Sequence, residues 1–540
     1  MFLNRWENLW FFMKLFGFTE DMGFGNKINA NVMISTRGRL FMGFEGIRYA
    51  QPPVGNLRFK DPEPFERFDS IRRQVDCLQF DPTTEKMIGQ EDCLFLNIYT
   101  PVKFMSVKMP VLIWIYGSPF YFGNSANSLL GAERLSNYDI VIVMINYRVG
   151  PLGFASYENS TLPGNLGLKD QLMAIEWVFK NIRKFGGDPN RVTLGGIGSG
   201  AAHVLFHLNG VMNGRINKGI AIGGSRFAPW AFGKPSWVKM HTELLAQSVN
   251  CKYAKPKMFS SQFPYENGLG QNISILLPTH RCNASLDDDN LAQIAYQAER
   301  HIPFWDKIIQ PFQPVIDGHI IPGNPRDFNG KHKFSLLLGL NRDEGGFMVS
   351  YAKNNELPKE EVKSAFESFF RDGVVRDRKL VMYNTVVNEN ITSLYNHFNT
   401  TDDKLSAITS DGWFLLPAMA EAKFHNGPLK AFMFGDYFGW KHMDCSVERK
   451  IRQSVHGDQL PFIFFIYRCR DLSFYFNMVA DGYTDVIADF VSDRNVRLRT
   501  YQDDQDTIFD LTKALRNPDE FKWIDHNLSA RMHFWSKLIK

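Results

Sequence analysis

Two uninterrupted apolar runs, Val111-Leu-Ile-Trp-Ile-Tyr116 and Ile140-Val-Ile-Val-Met-Ile-Asn146, leave this chain few ways to fold. A strand with one wet face alternates polar and apolar residues, whereas a β-branched run without alternation is covered on both faces, as in a parallel sheet. Helical spacing of apolar residues follows in Lys169-Asp-Gln-Leu-Met-Ala-Ile-Glu-Trp-Val-Phe-Lys-Asn-Ile182, and strand patterns return at Arg191 to Leu194 and Phe334 to Gly339. Strands alternating with helices predict an α/β fold, a mostly parallel central sheet flanked by helices. Ligands of such sheets collect beyond the carboxyl ends of the strands.

The chain has 540 residues, of which 44% are hydrophobic, enough to bury a large core. Without an internal repeat, low-complexity tract or long linker, residues 30–540 read as one domain behind an N-terminal segment, 1–29. Met1 to Phe18 are rich in Phe, Trp and Leu, but Glu7 and Lys14 interrupt the run and no small-x-small cleavage site follows. That segment reads as leader-like or incomplete. No apolar stretch reaches the ~18 residues of a membrane span, Leu460 to Tyr467 being far too short, so no transmembrane anchor is expected. The net charge of +4 is scattered, which argues against a nucleic-acid partner.

Cys77, Cys93, Cys251, Cys282, Cys445 and Cys469 form three sequence-adjacent couples without metal-ligand spacing, so they are disulfide candidates and no metal is expected. Sequons stand at Asn159, Asn272, Asn283, Asn390, Asn399 and Asn527 as glycosylation candidates. Paired cysteines with six sequons point to an extracellular, secreted glycoprotein.

The chemistry-bearing segment is Arg191-Val-Thr-Leu-Gly-Gly-Ile-Gly-Ser-Gly-Ala-Ala-His203, a strand running through a glycine-rich turn into a helix. This is the setting of the G-x-S-x-G nucleophile elbow, which requires serine at its centre. Here Gly196, Ile197, Gly198, Ser199 and Gly200 keep the outer glycines and replace the nucleophile with Gly198. Ser199, one residue past the tip, is the alternative nucleophile, and using it requires a rebuilt turn. The same letters imitate a dinucleotide-binding fingerprint. That reading needs an acid about twenty residues on, and none occurs between Asp188 and Glu243, so no cofactor is expected.

Four further segments carry a resemblance: Phe44-Glu-Gly-Ile-Arg-Tyr-Ala-Gln-Pro-Pro-Val-Gly-Asn-Leu-Arg-Phe59, Glu91-Asp-Cys-Leu-Phe-Leu-Asn-Ile-Tyr-Thr-Pro101, Asn146-Tyr-Arg-Val-Gly-Pro-Leu-Gly-Phe154 and Gly164-Asn-Leu-Gly-Leu-Lys-Asp-Gln171. With Phe185-Gly-Gly-Asp-Pro189 they resemble the type-B carboxylesterase and cholinesterase family, which implies an α/β-hydrolase fold. The resemblance places the family's catalytic acid at Glu344, its base at His456 and its oxyanion loop at Gly117, Ser118 and Pro119. Proline has no N–H, so Pro119 in a donor position removes one oxyanion hydrogen bond, worth about 100-fold to 1,000-fold in rate. Gly223 stands where the family usually has a supporting serine. The loop between Cys77 and Cys93 lacks the tryptophan a quaternary ammonium needs, which argues against choline esters. Among family members, the chain is similar to the catalytically inactive neuroligin, neurotactin, gliotactin and glutactin branch. This implies an extracellular protein partner in cell adhesion or matrix contact. The alternatives are a weak carboxylic ester hydrolase, using Ser199 or water activated by His456, and a non-catalytic carrier of an apolar small molecule in a vestigial pocket.

Overall fold

The computed structural model describes residues 19–21, 27–67, 75–81, 86–102, 108–117, 120–123, 125, 130–233, 235–248, 311–325, 333–349, 394–435, 440–441, 444–448, 454–466, 473–496, 498 and 509–511. Among them, ten strands form one sheet: β1 (Asn31–Ile34), β2 (Leu40–Arg48), β3 (Phe95–Pro101), β4 (Met109–Ile115), β5 (Val141–Ile145), β6 (Gly187–Ile197), β7 (Lys218–Ile222), β8 (Ser335–Asn341), β9 (Leu429–Phe434) and β10 (Phe509–Asp510). Their spatial order is β10-β9-β8-β7-β6-β4-β5-β3-β2-β1. From β4 to β10 every pairing is parallel, while β3, β2 and β1 join antiparallel at one edge. This is the mostly parallel sheet expected from the two apolar runs, which form β4 and β5 with every residue buried, and the α/β-hydrolase architecture that the family resemblance implies.

Helices cover the sheet: α1 (Leu166–Asn181), α2 (Ser199–Asn209), α3 (Pro235–Ser248), α4 (Thr401–Ser410), α5 (Leu416–Phe424) and α6 (Phe474–Val491). A five-residue π-helical stretch, Asp411–Leu415, joins α4 to α5. Such stretches widen a helix by one residue and re-aim its side chains. No helix among the described residues is long and apolar enough to cross a membrane.

The residues that carried the family resemblance mostly build the frame. Arg148 Nε and Nη2 donate to Asp170 at 2.8 and 2.7 Å, with both side chains buried, fixing the segment after β5 to α1. Arg58 Nη2 reaches Glu91 at 2.7 Å, Arg48 Nη2 reaches Asp92 at 2.9 Å, and a disulfide closes Cys77 onto Cys93 beside them. Asn165 at the start of α1 takes a left-handed φ of 57° and exchanges hydrogen bonds with the backbone of Val315. Removing one member of the buried Arg148–Asp170 or Arg58–Glu91 pair costs about 3–5 kcal/mol, because the other charge stays uncompensated. Of the remaining cysteines, Cys445 lies on a short strand, Asp444–Glu448, whose side chains are not described. Cys251, Cys282 and Cys469 lie outside the described residues, as does the helix-like stretch from Leu528 to Lys540.

Candidate active site

β6 lies between β4 and β7, and its carboxyl end opens into a single residue, Gly198, before α2 begins at Ser199. Gly198 has φ 56° and ψ −123°, a conformation L-residues rarely adopt. Its N–H donates to the Ile222 carbonyl at 2.8 Å and its carbonyl receives the Ala202 N–H at 3.2 Å, so the tip is pinned from both sides. The outer glycines have a different reason to be glycine. At Gly200 a Cβ would stand 2.3 Å from the Ile115 carbonyl oxygen, and at Gly196 it would stand 2.6 Å from Gly200. The turn is therefore cut to fit the neighbouring strand, and the sequence pattern is its record.

Glu344 follows β8 and His456 sits in a turn at residues 456–459, and the fold brings both to the elbow. His456 Nδ1 lies 2.7 Å from Glu344 Oε2, and the His456 N–H donates to the Glu344 carbonyl at 3.2 Å. Glu344 Oε1 accepts from the Asn341 N–H at 2.7 Å and from Gln459 Nε2 at 3.3 Å. The carboxylate is thus buried, 2% exposed, with both oxygens engaged, whereas the imidazole keeps 24% of its surface. A carboxylate at Nδ1 holds the proton there and leaves the Nε2 lone pair facing the elbow. A Cβ added at Gly198 would lie 2.7 Å from that Nε2. One added at Gly223, also at φ 56°, would lie 3.0 Å from Glu344 Oε1 and from His456 Nδ1 and Cε1. Two glycines on adjacent strand ends thus leave room that the His456–Glu344 pair fills.

Other expected residues stand as follows. Ser199 is the first residue of α2 and 3% exposed. Gly117 is packed so tightly that a Cβ would stand 1.7 Å from the Ile197 carbonyl oxygen, which puts the exit of β4 directly on the elbow backbone. Ser118 and Pro119 lie outside the described residues. Asn159 and Asn399 are exposed, and Asn159 Oδ1 accepts from the Thr161 and Leu162 N–H groups. Asn272, Asn283, Asn390 and Asn527 lie outside the described residues.

Three features went unseen in the sequence. Phe414, on the π-helical stretch, and Phe347 place their rings 5.0 and 5.8 Å from His456. Nothing in the local pattern around either phenylalanine marks it, because the contacts exist only when the 411–415 stretch and the segment after β8 meet the turn at 456–459. Gln459, three residues after His456, holds Glu344 Oε1, and that spacing in the sequence is a usable signal. Behind the elbow, His207 Nε2 bonds Gln171 Oε1 at 3.0 Å, and Gln171 Nε2 bonds His203 Nδ1 at 2.9 Å, so one glutamine links two histidines one helical turn apart. Burial holds His203 well below the usual histidine range and brings His207 down to about 3, so both rings are neutral. His203 stacks on Phe154 and packs beside Phe120. A cleft of about 880 Å³ lies elsewhere, between α1 and residues 61–67, with Phe65, Leu172, Met173 and Trp177 in its walls.

The Carboxylesterase family model matches residues 27–521 of the chain. Venom carboxylesterase-6 of Apis mellifera is 39% identical over 249 residues, covering 42% of this chain and 44% of that relative. Carboxylic ester hydrolase of Bombus ignitus is 38% identical over 350 residues, covering 61% and 57%. Acetylcholinesterase 1 of Caenorhabditis briggsae is 28% identical over 477 residues, covering 82% and 69%. In these first matches the chain spans about half the length of the curated relatives.

Proposed function

The chain belongs to the carboxylesterase family, and from that premise we propose that it is a member without serine-dependent ester hydrolysis, working outside the cell by binding a protein partner in adhesion or matrix contact. The observation that carries this reading is the tip of the elbow. Acyl transfer on this scaffold needs a nucleophile that His456 can deprotonate. Gly198 offers no side chain, and the imidazole reaches to where its Cβ would be. In a serine protease, loss of that hydroxyl lowers kcat by about 10⁶-fold. Ser199 is a poor replacement. It is buried in the first turn of α2, and one helical residue turns the side-chain direction by about 100°.

The relatives named as esterases set the opposite expectation, so hydrolysis is the property to measure. Secreted protein is assayed against ethyl butyrate in a pH-stat beside Ser199→Ala, Gly198→Ser and Gly198→Ser with Pro119→Gly. Silence of the unaltered chain and a gain in the double variant support the reading. Turnover by the unaltered chain that disappears in Ser199→Ala sinks it. For the binding half, adhesion of the immobilised protein to cells or matrix is expected to survive His456→Gln unchanged.

A further inference from the structure

We propose that His456 itself accepts acyl groups from activated aryl esters, through Nε2. The inference rests on the reading above, that residue 198 supplies no nucleophile. In a triad the Nε2 lone pair is engaged by a serine O–H. Here Glu344 holds the Nδ1 proton at 2.7 Å, no hydroxyl stands at the elbow tip, and the ring is partly open to solvent. The geometry that served a general base therefore presents a nucleophile. Imidazole nitrogen forms covalent intermediates of this kind when the leaving group is good. Phe347, partly exposed beside the imidazole, offers an apolar contact to an aryl group, with the buried Phe414 ring behind it.

The step balances without a co-reactant other than water. The Nε2 pair attacks the carbonyl carbon, the carbon–oxygen bond to the aryl group breaks, and aryloxide leaves with the bonding pair. Glu344 compensates the charge on the acylated ring across the Nδ1 hydrogen bond. Water then adds to the acyl carbon and the carbon–nitrogen bond breaks with its pair returning to Nε2; one water proton stays with the released acid and the other neutralises the aryloxide. Alkyl esters do not follow this path, because alkoxide leaves imidazole adducts far less readily than imidazole itself does.

The full chain is incubated with p-nitrophenyl acetate, stopped in acid and mapped by mass spectrometry. The expected result is a burst of about one p-nitrophenolate per chain, with an acetyl group on the peptide carrying His456 that hydroxylamine removes. Mapping on the unaltered chain does not depend on any variant folding. Ser199→Ala keeps the adduct, His456→Gln loses it, and Glu344→Gln slows its formation by ~10-fold or more because the Nδ1 proton is no longer held. Gly198→Ser moves the acetyl group from His456 to residue 198. Acetyl found on Ser199, or only on lysines, overturns the proposal. An unlabelled His456 in a protein that is also silent towards ethyl butyrate overturns this proposal alone. Ethyl butyrate turnover lost in Ser199→Ala overturns both.

Discussion

At Gly198 backbone and side-chain physics point the same way. With φ 56° and ψ −123° any side chain is strained, and glycine relieves that strain where a working elbow stores it. Gly198→Ser is therefore expected to lower stability by about 1–3 kcal/mol, read as a fall in urea midpoint at constant slope. An unchanged midpoint means that the turn and His456 shift freely, against the packing described. Glu344 makes the complementary case, because its carboxylate accepts the His456 Nδ1–H and the Asn341 N–H. Glu344→Ala leaves those donors without a buried acceptor and is expected to cost about 3 kcal/mol, with Glu344→Gln milder. If Glu344→Ala proves as stable as the parent, the pair is not held by these bonds. Each member of the dyad thus satisfies the other, which holds the pair in place independently of any chemistry.

The helix α2 carries its own pH dependence. His203 and His207 are fully buried on it and neutral, with His207 brought down to about 3 by desolvation. The unfolded chain takes up protons on histidine near pH 6.5, while the folded helix does not until far lower pH. Between those limits the unfolded state binds more protons, so stability is fully present above about pH 6.5 and is lost as pH falls towards about 3. The expected slope is about 1.4 kcal/mol per pH unit for each histidine. Urea midpoints across this range are expected to fall with acid, and less steeply in His207→Asn. Parallel curves for the two proteins would show that His207 titrates alike in both states. The sequence showed the helix but not this feature, because histidines one turn apart look the same on a wet face as on a buried one. What covers His203 is packing against Phe120, Tyr147 and Phe154, brought in from separate loops and helices, while Gln171 on α1 meets the His207 ring.

Across the whole molecule, the N-terminal third is tied down by long-range links of which Cys77–Cys93 is covalent. A loop of this length restricts the unfolded chain by roughly 3 kcal/mol, so a reduced Cys77→Ser, Cys93→Ser variant is expected to unfold at correspondingly lower urea. Expression through a secretory pathway is expected to add glycans at Asn159 and Asn399, both exposed, and glycosidase treatment with peptide mapping checks it. Unmodified peptides at both positions would remove the main support for an extracellular role. The sequence by itself determined the fold class, since uninterrupted apolar runs can be satisfied only inside a two-sided sheet, and it determined that residue 198 has no side chain, since that is a matter of composition. It also marked Glu344 and His456, by local segments that resemble a family. Only the tertiary structure decided that these two meet at 2.7 Å, that the imidazole reaches to within 2.7 Å of where a Cβ at 198 would lie, and that Phe414 stands beside it. Each of those contacts joins residues more than forty positions apart, and such distances are set by how strands and turns pack, which no local pattern encodes.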